Sequence, residues 1–436
     1  MTRLIAIVEG VALGTIESNK YGALSFAYDP AWLARADAIP LSTSMPLAET
    51  VYKQKQISNF LWNLLPENQH VLESWAEEYK TSPNNSFALI SKVGEDVPGA
   101  AQFITEDRAA EYLGQPKAGI EWISVEEVEE RIRILKKDHS ALRLHKDLGR
   151  ISLAGAQAKT ALYWDGNRWG VPSGRAPTTH ILKPQIPNFE GIVENEHLCM
   201  RIAARTGLPT ATSQVLQFSE PVIVVTRYDR LPALTPGGVM RRVHQEDFCQ
   251  ALTCSPAAKY QENNGPGIKD CVTLLRRISS DPDADIAAFI KANILNWYIG
   301  GVDAHAKNFS ILIGPDGNLL APLYDVSSQI QYAEQLGKNS HRLAMKIGGY
   351  YEIPRIGLNE WSSMAKACKL NEDEVAGWIF DLGASLPQHV SDASNEAIEQ
   401  GLDAKIIEPL RDALIHHIQE RVASITTISY SKGPRP

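Results

Sequence analysis

The sequence predicts an α+β chain with a small N-terminal α+β domain over residues 1–147, a β-rich small lobe over 148–243 and a helical large lobe over 244–436. Three observations predict it. Residues 1–50 carry short β-type runs at 3–8 and 24–28, broken by Gly and Pro, with a helical pattern after them. Near 148 the pattern changes to strand, small-residue loop, strand, turn, strand. From 244 onward the chain is mainly helical, with one exception.

The bulk numbers fit such a chain. Its 436 residues suffice for two or three domains, and 44% hydrophobic with 22% charged residues is ordinary for a globular protein. The net charge of −8 argues against a surface that is wholly a nucleic-acid footprint. One basic run exists, Arg131, Arg133, Lys136, Lys137, Arg143, Lys146 and Arg150, and reads as a solvated helix face with its linker. The five cysteines, Cys199, Cys249, Cys254, Cys271 and Cys368, imply reduced thiols in a cytoplasmic protein. The spacing of Cys249 and Cys254 lacks the second pair that a zinc site needs. MTRLIAIVEG has no signal-peptide pattern, and no apolar run reaches membrane-span length. The most apolar helix candidate, 286–299, contains Lys291, Asn293 and Asn296 and reads as a core helix.

In chain order, residues 57–79 read as helical, with Phe60, Leu61, Leu64 and Leu65 on one side. Short strands and turns follow at 95–120, then a charged helix at 125–146. RISLAGAQAKTALYW, DGN and RWGV, from 150 to 171, supply the strand–loop–strand–turn–strand pattern. Residues 179–184 and 222–228 are further strands, and 193–205 is a helix stopped by Gly207.

The exception in the helical part is GGVDAHAKNFSILIGPDGNLLAPLYDVSS, residues 300–328. A helix ends at Gly300 and Gly301, and Asp303 and Asn308 follow. A β run at 309–313, a Gly-Pro-Asp-Gly turn and a β run at 319–324 lead to Asp325. A hairpin returns to its start, so Asp325 is expected beside Asn308 and Asp303. Phosphoryl transfer needs an aspartate to accept the proton of the attacking hydroxyl, with an Asn and a second Asp to hold magnesium. The order matches the catalytic and metal loops of protein kinases, without their His-Arg-Asp and Asp-Phe-Gly: Gly301 and Val302 precede Asp303, and Val326 and Ser327 follow Asp325. Asp and Asn are also common turn and strand-end residues.

A kinase also needs a strand lysine for the α/β-phosphates and a helical glutamate to hold it. Lys183 ends a strand candidate. On the next helix Ile192, Glu196, Cys199 and Ala203 share one stripe, which makes Glu196 the partner and Glu194 the fallback. The loop Ser152, Leu153, Ala154, Gly155, Ala156, Gln157, Ala158, Lys159 lets backbone N–H groups approach phosphate oxygens. It is not a Walker A loop, because Ala158 stands where that motif has Gly and strands follow it.

Taken together the segments resemble the HipA family of toxin serine/threonine kinases. The matching stretches are RISLAGAQAKTAL (150–162), TTHILKP (178–184), VENEHLCMRIA (193–203), VTRYDR (225–230), QEDFCQ (245–250), GPGI (265–268), DAHAKNFS (303–310) and LYDVSS (323–328), with PLSTSMPL (40–47) and NFLWNLLPE (59–67) nearer the N-terminus. The resemblance implies a two-lobed protein-kinase-like fold that uses ATP and Mg2+. It implies Asp303 as the catalytic aspartate, Asn308 and Asp325 as magnesium ligands and Lys183 on the phosphates. His305 and Lys307 would touch phosphate or substrate. Thr226, Arg227, Tyr228 and Asp229 would form the hinge that holds adenine through backbone groups, and Tyr324 would border the nucleotide. Ser152 matches the serine that such kinases phosphorylate on themselves. Two positions depart from the pattern: Thr226 and Ala158 each replace a Glu.

The resemblance further implies the toxin of a toxin–antitoxin pair. The expected partners are a small dimeric helix-turn-helix antitoxin (HipB-like), operator DNA reached through it, and a protein substrate among the aminoacyl-tRNA synthetases, glutamyl type. No membrane role is expected. Two other readings compete: a small-molecule phosphotransferase of the aminoglycoside sort, and a catalytically inactive binding module. The first typically has His two places before its aspartate, where this chain has Gly301; the second is disfavoured by the presence of all four phosphotransfer residues.

Overall fold

A computed structural model of the chain describes residues 2–114, 118–141, 150–234 and 240–430. The expected boundary at 147 and the basic residues Arg143 and Lys146 lie outside them. The chain forms two compact units: Met1–Pro184, Leu216–Pro256 and Ser310–Asn318 in the first, and Gln185–Val215, Ala257–Phe309 and Leu319–Pro436 in the second.

The first unit begins with strands β1 (Thr2–Val8), β2 (Val11–Ser18), β3 (Leu24–Tyr28), β4 (Val51–Lys53) and β5 (Gln102–Thr105), an antiparallel sheet in the order β4-β3-β2-β1-β5. Alternation puts Leu4, Ala6, Ile16 and Phe26 in the core, and Leu13 is buried at the register shift between Ala6 and Ile7. The helix expected over 57–79 is two helices, Gln54–Asn63 and Gln69–Glu78. Pro66 disfavours helical backbone at Leu65, and Asn68 restarts the helix by accepting from the His70 N–H.

A second sheet holds β6 (Ala118–Ile123), β7 (Thr160–Trp164), β8 (Trp169–Gly174), β9 (His180–Pro184), β10 (Ser213–Gln217) and β11 (Pro221–Thr226) in the order β10-β11-β9-β7-β8-β6. Val128 and Ile132 of the helix Val125–Lys137 pack on Val171, Leu182, Val222 and Val224. Ser124 and Glu127 form a capping box at that helix's start. The strand expected at the head of RISLAGA is only a single bridge, Asp96 to Ile151.

Short strands β12 (Arg230–Leu231) and β13 (Arg241–Arg242) pair, and β14 (His244–Asp247), β15 (Ser310–Gly314) and β16 (Gly317–Leu320) form a three-stranded sheet. β14 falls where a helix was expected. Its residues, His244, Gln245, Glu246 and Asp247, are polar and all buried, so no hydrophobic period marks it. β16 stops before the expected Tyr324, with Pro322 just beyond it, a residue that has no N–H for a ladder.

The second unit contains the helices Ile192–Arg205, Ile268–Ile278, Pro282–Ile299, Leu358–Cys368, Glu372–Glu399 and Ala404–Tyr430. Its core centres on Trp297, Tyr298 and Trp361, with the Tyr298 hydroxyl donating to the Ile379 carbonyl at 2.9 Å. A hairpin of β17 (Arg342–Ile347) and β18 (Tyr350–Glu352) turns on Gly348 and Gly349, both at positive φ. No described helix is long and apolar enough to cross a membrane, and no disulfide joins the described cysteines.

Candidate functional site

In the second unit the helix Pro282–Ile299 starts on an Asp281 cap with Pro282 in its first turn and ends on Gly300 at φ +65°. Gly301 packs so closely that an added Cβ would lie 2.1 Å from Asn296 Oδ1. The chain then closes on itself. The Asp303 carbonyl accepts from the His305 N–H and from Asn308 Nδ2, each at 2.8 Å, and the Asn308 N–H donates to the His305 carbonyl at 2.9 Å. This holds Asp303 and Asn308 on one short loop.

Tyr324 donates its hydroxyl to the Lys307 carbonyl at 2.7 Å, tying the residue before Asp325 to the same loop. Asp325 has φ +53°, a left-handed conformation that costs a non-glycine residue free energy and clusters at functional sites. The bond from Tyr324 thus links the residue before Asp325 to the 303–308 loop. His305 is buried, its Nε2 3.8 Å from Asp303 Oδ1. Burial, helped by Lys259 and Lys307 and opposed by Asp325, holds its pKa down to about 3, so the ring is neutral near pH 7. Lys307 is buried and Asp303 half exposed.

Two residues escaped the sequence reading here. Tyr260 donates its hydroxyl to Asp303 Oδ1 at 2.5 Å and meets the His305 ring edge to face, centroids 4.9 Å apart. Asn195 exchanges two hydrogen bonds with Ser328, at 2.8 and 2.9 Å, and so ties the helix Ile192–Arg205 to the segment after Asp325. That helix is buried from Val193 to Ala203 except for Arg201, on every side. A single stripe through Glu196 was therefore too narrow a reading: Glu194, Asn195 and Glu196 are all buried, and Glu194 accepts from Gln185 at 3.0 Å.

In the first unit Lys183 is buried on β9, between β7 and β11. The 152–159 loop lies against the corner between the helices Gln54–Asn63 and Gln69–Glu78. Ser152 donates to the Leu64 carbonyl at 2.7 Å, and the Glu67 N–H donates to the Gly155 carbonyl at 3.1 Å. Lys159 folds back, its Nζ 2.8 Å from the Ala154 carbonyl, and Gly155 takes φ +101°.

The expected hinge lies at the end of β11. Thr226 is exposed there, and Tyr228 bonds Gln245 through its hydroxyl. Arg227 and Asp229 turn inward to a buried network with Asp96, Arg230 and Arg242. Asp96 lies 2.9 Å from Arg230, 3.0 Å from Arg242 and 3.5 Å from Arg227, and Asp229 lies 2.9 Å from Arg227 and 2.8 Å from Arg230. Burial would raise the Asp96 carboxyl, but Arg242, Arg230 and Arg227 outweigh it and hold it at about 2. The Arg227 N–H donates to the Thr179 carbonyl and the Asp229 carbonyl accepts from Val243, both at 2.9 Å. Nothing in isolated spacing marked Asp96, which is 131 residues from Arg227. Among the described residues no group of three or more His, Cys, Asp and Glu gathers as a metal cluster.

Comparison with known proteins places this geometry in a family context. Residues 151–390 match the family model described as the HipA-like C-terminal domain, and residues 4–104 match the HipA N-terminal domain. Over 417 residues the chain is 35% identical to Y4mE of Sinorhizobium fredii, named as a candidate kinase, covering 93% of this chain and 95% of that protein. It is 29% identical over 364 residues to the serine/threonine-protein kinase toxin HipA of Shewanella oneidensis, covering 81% and 80%. Among solved structures, a chain from the Shewanella oneidensis toxin–antitoxin complex of HipA, HipB and operator DNA matches with a TM-score of 0.82 and 25% identity, over 98% of this chain and 99% of that one. The mixed helix and sheet fold, sheet-rich toward the N-terminus and helical toward the C-terminus, agrees with that match.

Proposed function

The chain belongs to the HipA family of kinase toxins, and from that membership we propose that it is an ATP- and magnesium-dependent serine/threonine protein kinase. The observation that carries this reading is the loop closed around Asp303, with Asn308 on it and Asp325 tied to it through Tyr324. In the reaction the substrate hydroxyl oxygen bonds to the γ-phosphorus while the bond to the β–γ bridging oxygen breaks. The hydroxyl proton passes to Asp303, and ADP leaves.

Asn308 and Asp325 offer oxygen donors, the kind that magnesium takes, and the bond to the Asp303 carbonyl is made by Asn308 Nδ2, which leaves its amide oxygen out of that bond. These residues fit the ion, which when bound supplies charge neutralisation on the phosphates. Lys183 serves the α/β-phosphates. The 152–159 loop serves the phosphates through its backbone, and the 226–229 segment serves adenine. Neutral His305 supports Asp303 by packing rather than as a second cation, and Lys307 is the cation of the loop.

The toxin role, a HipB-like antitoxin with its operator DNA, and an aminoacyl-tRNA synthetase of the glutamyl type as substrate complete the proposal. The Shewanella oneidensis complex supports the first two partners by likeness. The test is twofold. Asp303→Ala is expected to abolish phosphotransfer and spare nucleotide binding, whereas Asp325→Ala costs both. Asp303→Gln is expected to express harmlessly where the wild type arrests growth. Full kinase activity in the Asp303 variants overturns the catalytic assignment, and equal growth arrest overturns the link between toxicity and catalysis.

A further inference from the structure

Asp303 is held by a residue that lies 43 positions earlier in the chain. The Tyr260 hydroxyl donates to Asp303 Oδ1 at 2.5 Å, a short bond of the kind that a phenol makes to an ionised carboxylate. The same ring stands edge-on to His305, with centroids 4.9 Å apart. Tyr260 therefore touches both side chains at the front of the catalytic loop.

Its own placement is over-determined. On one side of it, the Lys259 carbonyl accepts from the Ala306 N–H at 3.4 Å. On the other, Gln261 Oε1 accepts from the Lys346 N–H of β17 at 2.6 Å. The Tyr260 carbonyl accepts from both Asn263 and Gly265, each at 3.0 Å. The turn packs tightly against the Gly-Pro-Gly that follows, most of all at Gly265. A Cβ on Gly265 would lie 2.0 Å from the Ala258 carbonyl oxygen, and one on Gly267 would lie 2.5 Å from Gln261 Nε2. The 265–268 motif, which the phosphotransfer chemistry leaves without a task, is thus the hinge pin of the Tyr260 turn.

The geometry points to Tyr260 as a positioning residue for phosphotransfer: its hydroxyl fixes the plane of the Asp303 carboxylate so that the aspartate meets the substrate hydroxyl without first reorienting. A phenol that swings aside as a plug is the competing arrangement. The edge-to-face contact with His305 argues against it, because a ring that swings about its side-chain torsion gives up that contact as well as the bond to Asp303. Tyr260 keeps its own proton throughout and forms no bond to phosphorus. The inference rests on the proposed role of Asp303.

The test uses the purified full chain and magnesium-ATP, reading the initial rate of phosphate incorporation across ATP concentrations and nucleotide affinity by calorimetry. Tyr260→Phe keeps the ring against His305 and removes only the hydroxyl. The rate at saturating ATP is expected to fall on the order of tenfold, with the half-saturating ATP concentration and the nucleotide affinity unchanged. Gln261→Ala, which loosens the turn without touching Asp303, is expected to lower the same rate to a lesser extent and serves if the first variant does not fold. An unchanged rate in both variants overturns the inference, as does a rate that rises on losing the hydroxyl. A parallel loss of nucleotide affinity in a variant that melts like the wild type also overturns it. Retained activity in Asp303→Ala would instead strike the proposed function itself.

Discussion

Ser152 donates its hydroxyl hydrogen to the Leu64 carbonyl at 2.7 Å, and the serine is fully buried. A phosphate on that oxygen would bring about −1.5 to −2 charges into a place with no room for them and would break the bond to Leu64. The loop must leave the Leu64–Glu67 corner before or as Ser152 is modified. Once displaced, the phosphoserine seeks cations; Arg150, now 3.4 Å from Glu95, and Lys159, now folded onto Ala154, are the near ones in sequence. We expect phosphate at Ser152 after incubation with magnesium-ATP, by mass spectrometry. The modified protein should bind ATP more weakly and be cut faster by protease within 152–159. Phosphate found only elsewhere, or unchanged nucleotide affinity after modification, would refute this.

Asp96 is the second carboxylate of the network behind the expected hinge. Asp96→Asn keeps the shape and removes the charge, leaving Asp229 to Arg227 and Arg230 and taking from Arg242 the carboxylate it pairs with in that network. Breaking a buried ion pair by removing one partner costs roughly 3–5 kcal/mol, because the remaining charge stays buried. We expect a loss of that order in urea unfolding, with a lower midpoint and a similar slope. A loss below about 1 kcal/mol would mean that water already compensates the arginines.

This network also shows what the sequence could and could not disclose. Arg227, Tyr228 and Asp229 were legible as a segment, and β11, β9 and the helix after Gly191 followed from β-branched runs and a glycine stop. The inward turn of Arg227 and Asp229 was not legible, because it depends on Asp96, far away along the chain and met only after folding. The closeness of Asp303 and Asn308 was legible because five residues of loop can close on themselves, and their bond confirms it. The place of Tyr260 was not, since the turn that presents it is set by packing around Gly265 and Gly267 rather than by periodicity. β14 was hidden for the opposite reason: four buried polar residues carry no hydrophobic signal.

Buried histidines set the pH dependence of stability. Burial lowers His180 and His197 to about 4, His417 to about 4 and His305 to about 3, and it also lowers His244. Below the ordinary value near 6.5 the unfolded chain takes up these protons first, so their contribution is present above about 6.5 and is lost as pH falls. Two carboxyls act oppositely. Burial raises Glu246 to about 7 and raises Asp285, and their contribution is lost as pH rises. Five histidines outweigh two acids over this window. The melting temperature should therefore climb from pH 4.5 to 6.5, as thermal unfolding in buffers of constant ionic strength would show. A flat or inverted profile would mean that these rings are hydrated in solution.

Gly301 occupies the place where a protein kinase of the usual pattern carries histidine, and the structure gives a steric reason for the change. Its N–H donates to the Asn296 carbonyl at 2.8 Å as the helix ends, and its Cα faces the Asn296 side chain. An alanine Cβ would stand 2.1 Å from Asn296 Oδ1 and 3.2 Å from the Ser327 carbonyl oxygen. Asn296 cannot simply rotate away, because its Nδ2 is bonded to the Ala292 carbonyl at 2.8 Å within the helix. The strain would pass instead into Val302 and Asp303, two residues on, or into the segment from Asp325 to Ser328. We expect Gly301→Ala to lower stability by about 1–3 kcal/mol, the usual cost of overpacking, and to lower the phosphotransfer rate by more than that loss explains at temperatures where the variant is fully folded. Asn296→Ala in the same chain should relieve the main clash and recover part of the rate, since the added methyl then meets only the Ser327 carbonyl oxygen at 3.2 Å. A Gly301→Ala protein with wild-type rate and stability would show that the helix end yields freely and that the glycine is not required there.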